Sequence, residues 1–172
     1  MALSADRKTP MRDGETIRLS VAASTKMYAG GMVAKNASGY TVPAADAAGL
    51  MVMGRAEEYV DNSSGANGDE TILVRRNRAF KLTNSAGNPV TIAEIGKDVF
   101  IEDDETVSKE PGTNSIVAGK CIGVESDGVW VFIPGDKVAA AQADSEAGDL
   151  AALKADFNAL LAKLRAAQIM DS

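Results

Sequence analysis

The sequence changes character near Pro134. Up to that residue, short runs of aliphatic and β-branched residues alternate with Gly, Asn, Asp and Ser, whereas an alanine-rich stretch and a heptad pattern follow it. The first pattern is typical of short strands joined by turns, and the second predicts one amphipathic helix. We therefore predict a mainly β protein with four segments: an extended N-terminal arm at 1–14, a β-barrel domain at 15–135, an alanine-rich linker at 136–148 and a coiled-coil-like C-terminal α-helix at 149–170.

The region before Pro134 is predicted to form a small β-barrel or sandwich of about eight short strands. The run Thr16–Val21 alternates with a period of two, as a half-buried strand does. Two β-type runs flank Asn36–Gly39 and two more flank Asp127-Gly128, so each pair predicts a hairpin. Gly, Asn, Asp and Ser dominate Asp61–Asp69, which we interpret as a loop.

A weak internal repeat occurs within this region at a spacing of 65 residues. The matching residues are Gly31, Thr41, Val42, Val52 and Gly54, which recur as Gly96, Thr106, Val107, Val117 and Gly119, and Arg55 matches Lys120. We interpret the repeat as two similar β-units that together close one barrel.

The heptad pattern defines a seam along one helix face. Its members are Leu150, Phe157 and Leu164 at one heptad position and Leu153, Leu160 and Ala167 at the other. Two interpretations stay open, a helix that folds back on its own barrel and a seam for self-association, and the strict heptad spacing favours the second. Leu161 beside the seam widens the apolar face, which favours a homotrimer over a dimer.

Composition bears mainly on the chemistry that the chain can perform. It contains no histidine, which removes the commonest general base and metal ligand. Its single cysteine, Cys121, lies in the apolar run Ile116–Val124 and is predicted to be buried. The formal net charge of −6 is unlike that of a general nucleic-acid binder, so we expect no direct nucleic-acid contact. We predict that the chain is not an enzyme and has no catalytic residues, no cofactor and no metal site.

Three local patterns resemble chemical motifs but lack essential parts. Gly119-Lys120-Cys121 lacks both the first glycine and the hydroxyl residue of a phosphate-binding loop. The acidic run Glu102–Glu105 lacks the ligand spacing of a calcium loop, and we interpret it as a solvated turn. Glu57 and Glu58 are adjacent and would point to opposite faces of a strand, so they make a poor acid–base pair.

The N-terminal arm is polar and carries Arg7, Lys8 and Arg12 around Pro10. Because its composition cannot offset the entropy of ordering, it is either a frayed terminus or an arm that becomes ordered against a partner. It lacks the apolar core of a secretory signal, and no stretch of the chain is apolar enough to span a membrane. We therefore expect a soluble protein of a reducing compartment with no membrane partner.

One basic cluster stands out in the β region, formed by Arg75, Arg76 and Arg78. These residues are either a solvated strand end or a set of salt-bridging contacts to an acidic partner surface. The second interpretation makes them candidate contacts with another protein.

Several segments between residues 5 and 134 carry a resemblance to a known family. They are RKTPMRDGE, VAASTKMYAGGMVAKNASGY, GRAEEYVDNSSGANG, VRRNRAF, IGKDVFIEDDETVSK and AGKCIGVESDGVWVFIP. In their order along the chain and in their amino-acid sequence, these segments resemble the capsid decoration, or cement, proteins of tailed bacteriophages. The resemblance implies a small β-barrel that is synthesised in the host cytoplasm and binds the outer surface of the phage head as a trimer. It also implies that the protein stabilises the capsid by bridging neighbouring subunits of its partner, the major capsid protein.

On this resemblance, the arm at 2–14 would lie along the capsid, with Arg7, Lys8 and Arg12 facing acidic capsid groups. Residues 136–172 depart from the family pattern, because many relatives end soon after the strand that matches Val129–Ile133. The alternative function is a trimeric head-fibre or adhesion module whose barrel binds a receptor or glycan.

Overall fold

The computed structural model describes residues 5–134 and 149–166. The chain divides into two compact units, Met1–Gly135 and Asp136–Ser172. The described part of the first unit contains twelve strands and one 3₁₀ helix, and that of the second contains one α-helix, which confirms a mainly β protein with a C-terminal helix. The elements are β1 Thr16–Ser20, β2 Thr25–Met27, β3 Met32–Lys35, β4 Thr41–Pro43, β5 Met51–Ala56, β6 Val60–Asn62, β7 Thr71–Arg75, β8 Arg78–Asn84, the 3₁₀ helix Ile92–Glu94, β9 Asp98–Ile101, β10 Thr106–Ser108, β11 Val117–Glu125, β12 Gly128–Ile133 and α1 Leu150–Ala166.

The strands of the first unit form three sheets. A five-stranded sheet has the order β1-β7-β5-β3-β4, and β2 pairs with β6 in a separate two-stranded ribbon. The last five strands form a closed barrel in the order β10-β8-β12-β11-β9, in which only β10 and β8 run parallel. The predicted barrel is therefore present, and five strands are enough to close it.

Three of the strands are not detectable from sequence periodicity. β2, β6 and β10 are each three residues long, and so short a run shows no alternation. These three strands account for most of the difference between the about eight strands predicted and the twelve present. The predicted loop Asp61–Asp69 is wrong at its start, because Asp61 and Asn62 belong to β6 and pair with β2.

The five-stranded sheet and the closed barrel share one topology. In chain order, β1, β3, β4, β5 and β7 correspond to β8, β9, β10, β11 and β12, and the strand order within the two sheets is the same. The pairing registers agree as well: Arg55–Arg75 and Ala56–Val74 in the first repeat match Lys120–Phe132 and Cys121–Val131 in the second. The two similar β-units predicted from the sequence are thus present. The prediction that they close one barrel together is wrong, because the barrel uses strands of the second repeat alone.

The two repeats differ in how completely they close. In the second repeat, β10 pairs with β8 over two residue pairs. The matching contact in the first repeat is a single bridge between Val21 and Thr41. As a result Leu19 on β1 is only half-buried, whereas its counterpart on β8, Leu82, is buried in the barrel core.

A glycine recurs at the same place in both repeats. A Cβ atom at Gly54 on β5 would lie 2.2 Å from the carbonyl oxygen of Arg75, and one at Gly119 on β11 would lie 2.3 Å from that of Phe132. The pairing register also shifts beside each glycine. Each glycine therefore allows the neighbouring strand to approach more closely than any side chain would permit.

The last hairpin is present, but its predicted turn is shifted by one residue. Glu125 pairs with Gly128, so the loop between β11 and β12 consists of Ser126 and Asp127. Gly128 already belongs to β12, where a Cβ would lie 2.7 Å from the carbonyl oxygen of Leu82. Glycine at this position serves close packing between strands rather than the turn.

The helix α1 begins directly after Asp149. The Oδ1 atom of Asp149 accepts a hydrogen bond from the backbone N–H of Ala152 at 2.8 Å, as an N-cap residue does. The predicted helix at 149–170 is described as far as Ala166, and the predicted linker at 136–148 lies outside the described residues. Within the ranges 5–134 and 149–166, no helix is both long and apolar enough to cross a membrane.

Candidate functional site

The N-terminal arm is exposed along its described length. Every residue from 5 to 14 is exposed, and Met11 is almost completely so. Among the described residues, no hydrogen bond or ion pair joins residues 5–12 to another part of the chain. The predicted arm residues Arg7, Lys8, Pro10 and Arg12 therefore face the surroundings rather than their own domain.

The base of the arm is fixed by the arginine cluster. Arg76 donates its backbone N–H to the carbonyl oxygen of Glu15 at 2.8 Å and its Nε–H to that of Gly14 at 2.9 Å. Arg78 forms an ion pair of 2.5 Å with the carboxylate of Glu15. The structure thus brings together two sites that the sequence treats separately, and neither interpretation of the cluster included these partners within the chain.

Arg75, the third member of the cluster, binds Glu57. The Glu57 carboxylate is mostly buried and lies between Arg55 and Arg75, with 3.0 Å between its Oε2 and the Nε of Arg75. Burial alone would raise the pKa of Glu57, but hydrogen bonds from Arg55 and Arg75 outweigh it and lower this pKa below its usual value. Arg55 also stacks on the Phe80 ring of the second repeat, 4.9 Å from its centroid, so this cluster links the two repeats.

Two of the three tyrosines, Tyr28 directly after β2 and Tyr59 directly before β6, form an exposed pair at one end of the ribbon. The ring centroids of Tyr28 and Tyr59 are 5.4 Å apart, and the side chains are 61% and 52% exposed. Tyr59 donates its hydroxyl to Asp61 Oδ2 at 3.1 Å, and Lys26 forms an ion pair of 2.9 Å with the same oxygen. Sequence reasoning missed this pair because the two residues come together only through the pairing of two three-residue strands.

A polar cleft of about 370 Å³ adjoins Tyr59. Its other lining residues are Arg18, Glu58, Val60, Asp61, Glu70 and Thr71. The guanidinium of Arg18 crosses the cleft, 3.2 Å from Glu58 Oε1 and 3.3 Å from Thr71 Oγ1. An aromatic pair beside charged and hydroxyl groups can contact both the apolar and the polar side of a small polar ligand.

Three further residues have structural roles. Cys121 is buried in the barrel core, as predicted, and burial raises the pKa of its thiol. Asn62, the last residue of β6, is buried, and its Nδ2 donates to the carbonyl oxygens of Ala22 at 2.8 Å and Ala66 at 2.9 Å. Asp103 closes the acidic turn, because its Oδ1 accepts the backbone N–H groups of Glu105 and Thr106.

The described part of the heptad seam lies along α1. Leu150, Leu153 and Phe157 are 81%, 51% and 57% exposed. Leu160 and Leu164 are half-buried, and Ala167 lies outside the described residues. The seam therefore presents large apolar side chains to the surroundings over the first half of the helix.

Comparisons of the chain with models of protein families, with curated proteins and with solved structures find no match.

Proposed function

We propose that this chain is a structural virion protein that binds the outer surface of a phage head as a trimer. It stabilises the capsid by bridging neighbouring subunits of the major capsid protein. The single observation that carries the proposal is the arm, which is exposed throughout and makes no bond to its own domain up to residue 12 in the described chain. The resemblance of residues 5–134 to capsid decoration proteins supports the same function.

The way the arm is attached fits this role. The arm ends at Gly14 and Glu15, which Arg76 and Arg78 hold against the body. A segment that is fixed at its base and free beyond it can become ordered along a partner surface without unfolding the domain. Each contact can be weak, because many copies on one shell together give strong overall binding through avidity.

The test is the binding of purified protein to expanded phage heads that lack decoration protein, followed by co-sedimentation. Deletion of residues 1–12 leaves the anchored Gly14 and Glu15 in place and keeps Asp13, whose Oδ1 accepts the backbone N–H of Glu15 at 3.0 Å. We expect this deletion to lower the affinity for heads by about 100-fold or more, because the capsid contacts are lost. The melting temperature should stay the same, because residues 5–12 make no bond to the rest of the described chain.

A charge reversal isolates the electrostatic part of this contact. Lys8→Glu should weaken binding to heads, and more so at low salt than at high salt, because exposed charges are screened by salt. Lys109→Glu is the matched control, since Lys109 is also exposed but lies on the body of the protein. Full head binding by the truncated chain would overturn the proposed role of the arm.

A second candidate function is a trimeric adhesion module that binds a glycan, and the Tyr28–Tyr59 pair beside the polar cleft favours it. A glycan array with the full chain tests it, and Tyr28→Ala and Tyr59→Ala should then abolish any signal. Tyr40→Ala is the control, because Tyr40 is the tyrosine outside the pair. An array without any signal above that of an unrelated protein would eliminate this candidate.

A further inference from the structure

The charged residues of α1 are placed unusually for a helix that covers its own domain. Of the five charged residues from Asp149 to Ala166, four flank the seam of leucines and Phe157: Asp149, Lys154, Asp156 and Lys163. The opposite face carries alanines, Asn158 and the fifth, Arg165. A helix that buries one face against a domain normally has its charges on the opposite, solvated face. Charges beside the seam are the arrangement of a coiled coil, where such residues pair between helices.

Two of these charges have no ion-pair partner among the described residues. One carboxylate oxygen of Asp149 caps the helix, and the other makes no hydrogen bond or ion pair there. Lys154 likewise has no ion-pair partner in the described chain. Within one helix the two residues lie on opposite sides of the seam. Asp149 directly precedes Leu150, the first residue of the seam. In a parallel, in-register coiled coil, a residue at this position faces the residue numbered five higher on the neighbouring helix, which for Asp149 is Lys154.

We propose that α1 associates with the α1 helices of two further copies of this chain, parallel and in register. Leu150, Leu153 and Phe157 pack in the shared core, and Asp149 of each helix pairs with Lys154 of the neighbouring copy. In an antiparallel pair that overlaps along the whole seam, the side of the seam that carries Lys154 would face the same side of the other copy. Its other residues there are Leu161 and Gln168, so Lys154 would meet no carboxylate. Leu161 beside the seam extends the apolar face for a third helix.

This inference deepens the proposed function, since it names the contact that makes the trimer, but its test needs no phage head. Sedimentation velocity of the full chain measures the association. Leu153→Asp should raise the concentration needed for half-assembly by about 100-fold or more, because a charge enters the shared core. Ala155→Asp places the same charge on the opposite face and should leave the trimer intact. Equal behaviour of the two variants, or a wild-type chain that is monomeric or dimeric, would overturn the proposal.

Disulfide cross-linking tests the direction of the helices. Under mild oxidation, Leu153→Cys should give a covalent pair between copies, whereas Ala155→Cys should not. The native Cys121 does not interfere because it is buried. Helices that run antiparallel would instead cross-link in a mixture of Leu153→Cys and Leu164→Cys chains, and neither variant would cross-link alone.

The ion pair has a separate signature. Lys154→Glu should weaken association by about 5- to 10-fold, because it sets two carboxylates against each other. Adding Asp149→Asn should relieve most of that loss, since asparagine keeps the helix cap but removes the charge. No relief in the double variant would show that the two residues do not face each other. A chain that forms the trimer but fails to bind heads would contradict the proposed function and leave this inference standing.

Discussion

Glu57 shows at the scale of one residue how the two repeats are held together. It binds Arg55 and Arg75, and Arg55 in turn covers Phe80 of the second repeat. A carboxylate whose pKa is lowered on folding stabilises the protein fully at pH values above its unfolded pKa. That contribution is lost as the pH falls below the ordinary glutamate value of 4.5 towards the lowered one.

This predicts how a substitution at Glu57 changes the dependence of stability on pH. Near pH 7, Glu57→Gln should lower the free energy of unfolding by about 1–2 kcal/mol, because the charge-assisted bonds weaken. Below about pH 4.5 the difference from the wild type should shrink, because the wild-type carboxylate is then protonated as well. Urea titrations across this pH range measure the effect.

The control for this prediction is a glutamate at an exposed position. Glu110→Gln should change stability by less than about 0.5 kcal/mol at every pH, because its side chain is exposed. A difference between Glu57→Gln and the wild type that grew as the pH fell would contradict the assigned role of Glu57.

At the scale of the elements, the repeated glycine is the clearest sign that the two sheets follow one plan. Gly54 and Gly119 each lie where a neighbouring carbonyl oxygen leaves no room for a Cβ atom. Gly54 also has a φ of +143°, which a side chain rarely adopts. The two positions therefore share the close approach of the neighbouring strand, but only Gly54 has a positive φ.

We predict that Gly54→Ala and Gly119→Ala each destabilise the protein by about 2–4 kcal/mol, because a strand must move away to accept the methyl group. Equilibrium unfolding in urea gives the values. Gly87→Ala is the matched control, since a Cβ there would meet nothing within 4 Å. A cost below about 0.5 kcal/mol at either strand glycine would mean that the close approach is not real.

The repeat also shows what the sequence could and could not reveal about the elements. The spacing of 65 residues is correct for β5 and β11, where Gly54 corresponds to Gly119. On the neighbouring strands it is off by one, because Thr41 corresponds to Val107 in the pairing with β3 and β9. A fixed spacing cannot follow loops that differ in length between the repeats. For a similar reason, the sequence could not show that the second repeat closes a barrel alone, because closure depends on pairing between segments that are distant in the chain.

For the candidate sites too, features of consecutive residues could be predicted and contacts between distant segments could not. Local composition was enough to predict an exposed polar arm and an amphipathic helix, since both are properties of consecutive residues. It could not place Arg76 and Arg78 at the base of the arm, or bring Tyr28 and Tyr59 together. Those contacts join segments that are far apart in the chain and become neighbours only in the folded sheet.

At the scale of the whole first unit, the arm and the last strand are attached to the body in different ways. The arm leads into β1, which pairs with β7 alone apart from the bridge beyond its end at Val21. The other end leaves from β12, which lies between β8 and β11 and is paired with both. A strand with one neighbour separates by losing one ladder of hydrogen bonds, whereas β12 must lose two.

This predicts the order of events when the unit is pulled apart with optical tweezers attached at Ala5 and Pro134. The first extension should come from release of the first repeat, with the barrel still closed. A disulfide between Ser20→Cys and Thr71→Cys, which are paired residues on β1 and β7, should remove that first step. If the barrel opened first in the wild type, the difference in pairing would not govern the response to force.

The incomplete closure of the first repeat therefore has a mechanical meaning. Tension applied between the arm and the end of β12 would release the weaker ladder at β1 before the barrel opens. The half-open repeat would then act as an extensible element in series with a stiff one, and it would lengthen under strain while the closed barrel keeps its shape.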